Sequence, residues 1–223
     1  MLTLKKAESM LSLQAQVNAK VNPEWLTAVY RFLLAFVIES AEAIEHHGWK
    51  WWKAQQKDVA QLQMELIDIW HFILSAILVK HDGDINKSTN YVMEYLSSTD
   101  RHVVFDGKVY AIDRLETVAK LELLIGLSVA RLISLPLFEA LLADCDMTWD
   151  DLHSQYVGKN VLNFFRQDHG YKEGTYQKHW GGREDNEHLV EILAELDDGT
   201  SADDFKERLY SALSDRYASY TGN

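Results

Sequence analysis

A single cysteine, Cys145, rules out any disulfide within the chain and points to a reducing compartment. Only two prolines, Pro23 and Pro136, interrupt the 223 residues, so long helices are free to form. Cations are scarce: 22 Lys and Arg stand against 34 Asp and Glu, a net charge of −12. That balance argues against non-specific attachment to nucleic acid or to an anionic membrane. It leaves room for a small polyanion, because metal ions and a local basic cluster override the global field. No apolar run approaches about 20 residues without a charge, so no transmembrane helix is expected. The N-terminal stretch with Lys5 and Lys6 lacks the apolar core of a secretion signal, and a cytoplasmic protein is the expectation.

What is present is a chain with 47% hydrophobic residues, enough for a proper core, expected to form one domain over residues 1–223. Apolar periodicity predicts helices over Leu4 to Ala19, then from an N-cap at Asn22 through Pro23 to about His46. Further helices are expected over Gln56 to Lys80, Asn86 to Ser97, Asp113 to Ser134, Pro136 to Cys145 and Thr148 to Phe165. Asn186 to Leu196 and Ala202 to Tyr217 close the series. Between them, Val103 to Tyr110 carries β-branched and aromatic residues around Asp106-Gly107, the signal for a small hairpin. Arg166 to Asn186 holds four of the eleven glycines and reads as an ordered loop region. The fold class is therefore all-α, a multi-helix bundle with a small β-hairpin near 103–110.

Two carboxylate pairs recur at one spacing on successive predicted helices: Glu39-Ser40-Ala41-Glu42 and Glu65-Leu66-Ile67-Asp68. Residues three apart share a helix face. Both pairs lie inside apolar segments, where an acid is costly unless paired, protonated or bound to a cation. A lone pair of this kind is an ordinary solvated face; two of them, embedded in apolar faces of neighbouring helices, suggest a cage for Mg²⁺ or Mn²⁺. His71 extends the second row, but a di-iron centre requires Glu-x-x-His twice, and the first helix offers Glu45 where a histidine would stand. Glu45, at the helix end beside His46 and His47, is expected at the surface or behind the ligands.

A second constellation is basic. Lys159, Asn163 and Arg166 fall on one helix face, and Lys172 follows within a glycine-bearing loop. Arginine's planar fork and lysine's mobile charge both suit phosphate oxygens. Trp49-Lys50-Trp51-Trp52-Lys53 places three tryptophans in four residues. Trp49 is a candidate to stack on a nucleobase, while Trp51 and Trp52 are expected to anchor the core or a dimer interface. Gln14 and Asn18, four apart, carry amides able to pair with the edge of a uracil ring.

Together these segments resemble the all-α dimeric dUTPases, relatives of the MazG-like nucleotide pyrophosphatases. The resemblance is carried by Leu13-Gln14 with Asn18, Asn22-Pro23-Glu24-Trp25, the two acidic pairs, the tryptophan-lysine run, Gly158 through Tyr176, and Glu184-Asp185-Asn186. It implies Mg²⁺-dependent conversion of dUTP, and of dUDP, to dUMP by attack of a metal-bound water, in a homodimer. On the matching positions, Glu39, Glu42, Glu65 and Asp68 would hold two or three Mg²⁺ ions, with Mn²⁺ able to substitute. Glu39 or Glu42 would act as general base. Lys159, Asn163, Arg166, Tyr171 and Lys172 would hold phosphates; Gln14, Asn18 and Trp49 the uracil; His71 and Phe72 the deoxyribose. Residues 84–146 match no motif of the family. Two alternatives stand beside this reading: a MazG-like pyrophosphatase acting on another nucleotide such as dCTP, and a dUTPase fold with an added protein-binding role.

Overall fold

A computed structural model of the chain describes residues 1–196 and 202–221. Among them nine α-helices dominate: α1 (Leu4–Val21), α2 (Phe32–His47), α3 (Val59–Lys80), α4 (Ile85–Leu96), α5 (Thr117–Val129), α6 (Leu135–Asp144), α7 (Trp149–Asp168), α8 (Asp185–Glu195) and α9 (Ala202–Thr221). Two antiparallel hairpins complete the described chain, β1 (His102–Phe105) with β2 (Lys108–Ala111), and β3 (His179–Trp180) with β4 (Arg183–Glu184). The all-α expectation holds.

Helix starts follow side-chain chemistry. Thr3, Asp58 and Asp84 each accept a hydrogen bond from a backbone N–H in the first turn of α1, α3 and α4. Thr148 and Asp151 form a reciprocal capping box at α7. The first hairpin turns at Asp106-Gly107, where both residues have positive φ (49° and 70°), as the Asp-Gly signal predicts.

Three expected boundaries are corrected. Asn22 does not start a helix running to His46: it caps the C-terminus of α1. Its side chain does accept from the Glu24 N–H, but only turns follow, and Val29 at φ 51° breaks the helical path before α2 begins. Pro23 lacks the N–H that would continue α1, so the chain turns there. The helix expected from Asp113 begins at Thr117, behind a single 3₁₀ turn at Ile112–Arg114. The expected loop from Arg166 is helical to Asp168 and later folds into the β3–β4 hairpin.

α3 is long and apolar enough to span a membrane by composition, with mean hydropathy 1.6. It is instead the core helix: Leu66, Ile67, Trp70, Ile73 and Leu74 have no exposed surface. A helix this apolar in a folded domain buries most of its surface. Trp70 stacks on Phe138 of α6 at 5.1 Å and meets the edge of Trp149 at 5.2 Å. The central segment that matched no motif supplies much of this core, through Val92, Leu121, Leu124, Phe138 and Leu141.

A second apolar cluster gathers Leu162 and Phe165 of α7 with Trp180, Leu189, Ile192, Leu209 and Leu213. α7 thus belongs to both clusters. At Gly158 α8 comes so close that an added Cβ would lie 2.9 Å from Leu193 Cδ1. The polar row of α7 is left to face α1, α2 and α3.

Candidate active site

Two clefts meet along that row. The larger, of about 690 Å³, is bounded by α1 (Gln14, Asn18), the turn before α2 (Trp25, Tyr30, Arg31), α2 (Phe32, Glu39), α3 (Asp68, His71, Phe72) and α7 (Lys159, Asn163, Arg166), with Tyr171 and Lys172 beyond. The smaller, of about 590 Å³, is almost entirely polar and contains Glu39, Glu42, Glu65, Asp68, Lys159, Arg166, Glu184 and Asn186. Glu39, Asp68, Lys159, Arg166 and Tyr171 line both.

Three of the four acids converge, and Asp68 lines the same cleft. Carboxylate oxygens of Glu39, Glu42 and Glu65 lie within 4.8 Å of one another. Burial, then the charge of Asp68, raises the Glu39 carboxyl to about 7 and the neighbouring Glu65 carboxyl to about 9. Acids this close, with a hydrogen bond between Glu39 and Glu65, retain a proton where no cation is bound. All-oxygen donors of this number suit a hard divalent ion, and none of the three is a cysteine or histidine. Asp68 takes a different partner: its Oδ2 accepts from Lys159 Nζ at 2.9 Å. His46, one turn beyond Glu42, brings its Nε2 to 3.6 Å from Glu65. Glu45 is at the surface as expected, accepting from Trp49 Nε1 and Lys50 Nζ.

The basic residues also converge, yet they are less open than the sequence suggests. Lys159, 2% exposed, donates to Asp68 and to Asn186 Oδ1, which engages two of the three N–H bonds of its ammonium. Arg166 lays its Nε and one terminal nitrogen along both oxygens of Asp185, at 2.8 and 2.7 Å, and its other terminal nitrogen reaches Asn163 at 3.2 Å. The planar fork expected to grip phosphate is therefore occupied by a carboxylate. Asp185 has no exposed surface and also accepts from the Tyr176 hydroxyl. Burial alone would discharge both partners, but their mutual hydrogen bonds win: the Arg166 pKa rises and the Asp185 pKa falls. Lys172 donates to the carbonyl of Val21 at the end of α1.

At the other end of the large cleft Gln14 and Asn18 are joined, Gln14 Nε2 donating to Asn18 Oδ1 at 3.1 Å. His71 does not point away from them toward a sugar alone: its Nδ1 lies 2.7 Å from Gln14 Oε1. Burial lowers the His71 pKa to about 3, so the ring is neutral. Phe72 lines the same cleft.

Trp49 is not brought to this cleft. It is 42% exposed and packs edge-on against Trp52. Trp51 and Trp52, expected as core or interface anchors, are not in the core of this chain: they are 89% and 56% exposed. The loop between α2 and α3 that carries them buries neither. Sequence reasoning assigned no role to Asp185, Asn186, Tyr156 or Ser75. Asp185 and Asn186 did carry a signal, as an acid and an amide opening a helix just after Gly181-Gly182. Tyr156 and Ser75 lie on core faces, where only tertiary contact distinguishes them.

No curated protein matches the chain. A family model described as dUTPase matches residues 6–171, three quarters of the length, including all four acids, Lys159, Arg166 and both amides of α1. With that match set on this geometry, the chain belongs to the all-α dUTPase family and is a dUTP diphosphatase, a hydrolase of a nucleotide substrate.

Proposed function

We propose that the chain hydrolyses dUTP, and also dUDP, to dUMP in a Mg²⁺-dependent reaction, with Glu39, Glu42, Glu65 and Asp68 holding the metal. The observation that supports this most directly is the continuity of the two clefts: Glu39, Asp68, Lys159, Arg166 and Tyr171 belong to both. A nucleoside in the larger cleft would thus extend its phosphates toward the acid cluster. A triphosphate with about four negative charges cannot approach carboxylates unaided. Bound Mg²⁺ supplies charge compensation there and lowers the pKa of the attacking water.

The chain's own residues account for the remainder. Lys159 offers its third N–H to a phosphate oxygen, and Arg166 the one N–H that Asp185, Asn186 and Asn163 leave over. Tyr171 and Lys172 close on the outer phosphates, with Asn163 beside them. We assign the general base to Glu39, at the junction of the clefts, rather than to Glu42, which is exposed and lines only the acidic one. In the orientation described above, the amides of Gln14 and Asn18 present hydrogen-bonding groups that complement uracil, so cytosine leaves buried groups unpaired. The deoxyribose lies against Phe72 and His71.

One domain suffices for this chemistry, and a homodimer in the cytoplasm is its expected form. Leu34 and Ile38, four apart on α2 and about half exposed, leave apolar side chains uncovered on one helix face, which supports dimerisation. Sedimentation velocity showing a monomer would overturn that part. The activity is tested by pyrophosphate release from dUTP, dUDP, dCTP and dTTP with and without Mg²⁺. dUTP turnover is expected to require the ion and to exceed that of dCTP and dTTP. Glu39→Gln and Asp68→Asn should each lower kcat at least about a hundredfold while circular dichroism is unchanged. Near-wild-type turnover in both would remove the acids from the reaction, and equal use of dCTP would move the chain to a broader nucleotide pyrophosphatase.

A further inference from the structure

The amides of Gln14 and Asn18 sit in the middle of a buried hydrogen-bond relay whose ends lie outside the substrate cleft. At one end the hydroxyl of Tyr156, without exposed surface, lies 2.7 Å from Gln14 Oε1 and 3.0 Å from the Met10 carbonyl. At the other, Asn18 Nδ2 lies 3.1 Å from Ser75 Oγ, which in turn lies 2.9 Å from the His71 carbonyl. We propose that Tyr156 and Ser75 are positioning residues that set the direction of both amides, and so make the cleft accept a uracil ring in preference to cytosine. This rests on the dUTP reading above.

An amide in a relay can point either way, and its neighbours decide. Ser75 has a single proton, and the His71 carbonyl, one turn earlier in α3, takes it. Ser75 Oγ must then accept from Asn18 Nδ2. Asn18 therefore turns Oδ1 to Gln14, Gln14 turns Nε2 to Asn18, and Gln14 Oε1 faces Tyr156 and His71. Both of those must donate: Tyr156 through its hydroxyl, His71 through Nδ1–H. His71 Nε2 is then a bare acceptor, in agreement with its being buried with no hydrogen-bond partner among the described residues. Reversing the relay would take the Ser75 proton from the His71 carbonyl to Asn18 Oδ1 and release the Tyr156 proton to Met10. It would also bury an orphan N–H on His71 Nε2, which costs more than an unused acceptor.

The two directions read different bases. As it stands, the relay leaves one N–H on Gln14, a lone pair on Asn18 Oδ1 and one N–H on Asn18 for the cleft. Donor, acceptor, donor complements the acceptor, donor, acceptor edge of uracil. The reversed relay would begin with an acceptor and then a donor, which complements the amino group and N3 of cytosine. Neither Tyr156 nor Ser75 lines the cleft, so their effect on the base passes through Gln14 and Asn18. The Tyr156 ring also stacks on His71, with centroids 4.3 Å apart, and Tyr156→Phe keeps that packing while removing the hydroxyl.

The test is kcat/KM for dUTP and for dCTP in the wild type, Tyr156→Phe and Ser75→Ala. Each substitution is expected to lower the dUTP-to-dCTP ratio on the order of tenfold, chiefly through KM for dUTP. A general packing defect would lower both substrates alike and leave the ratio unchanged. A ratio unchanged in both variants, with the wild type still preferring dUTP, overturns the relay and leaves the dUTP reading intact. A wild type without preference for dUTP overturns the uracil reading and this inference with it.

Discussion

Asp185 illustrates how one residue decides what another can do. Its carboxylate takes the bidentate edge of Arg166, accepts from Tyr176, and opens α8, where the helix N-terminus favours a negative charge. Arg166 consequently stands at the junction of the clefts as a fixed charge with one uncommitted N–H rather than as an open fork. Removing one partner from such a buried pair leaves the other uncompensated, at a cost of about 3–5 kcal/mol. Asp185→Ala should lower the free energy of unfolding by roughly that amount and raise KM for dUTP, as denaturant titration and steady-state kinetics would read. A change below about 1 kcal/mol would mean that solvent replaces the carboxylate.

At the scale of elements, the site depends on how α7 ends. α7 stops at Asp168, and the loop beyond it carries Tyr171 and Lys172 to the mouth of the large cleft. Gly170 makes the reversal possible at φ 84°, and both the N–H and the hydroxyl of Thr175 donate to its carbonyl. A Cβ at Gly170 would collide with the Thr175 side chain in a conformation that L residues already disfavour. Gly170→Ala is expected to displace Tyr171 and Lys172 and to raise KM for dUTP about tenfold, with the melting temperature shifted by only a few degrees. Unchanged KM would show that the loop does not reach the phosphates. Two side-chain ties hold this end in place, Lys20 to Asp168 at 2.6 Å and Lys172 to the Val21 carbonyl at 2.8 Å, both joining α1 to the end of α7.

For the whole molecule, the acid cluster links stability to pH and to cations. The folded chain raises Glu39 to about 7 and Glu65 to about 9 from an ordinary value of 4.5. Between 4.5 and 9 the folded state therefore binds more protons than the unfolded one, so stability falls as pH rises through that window. Below it, both states are protonated and this effect vanishes. A divalent ion held by these acids, as proposed, would displace that proton, so its stabilisation would grow as pH rises. In EDTA the melting temperature should drop from pH 6 to pH 9, and Mg²⁺ should restore more of it at pH 9 than at pH 6. A melting temperature in EDTA that is flat or rises over that range would contradict the buried carboxyl pair.

Much of this protein was determined by the sequence alone, because its strongest signals are local. The 3.6-residue periodicity marked the helices, Asp106-Gly107 marked the hairpin, and the i, i+3 spacing put Glu39 with Glu42 and Glu65 with Asp68 on single faces. Family membership was legible in motif order for the same reason: spacing along a helix survives in one dimension. Where helices stop was less legible, as at Asn22, since an amide that bonds the next turn looks the same at either end of a helix. Tertiary structure decided the pairings: Asp185 with Arg166, Lys159 with Asp68, and Tyr156 and Ser75 with the two amides of α1. Tyr156 and Gln14 are 142 residues apart in sequence and 2.7 Å apart in space. Hydrogen-bond polarity and carboxyl proton affinity arise only when such distant groups are desolvated together, so no local pattern encodes them.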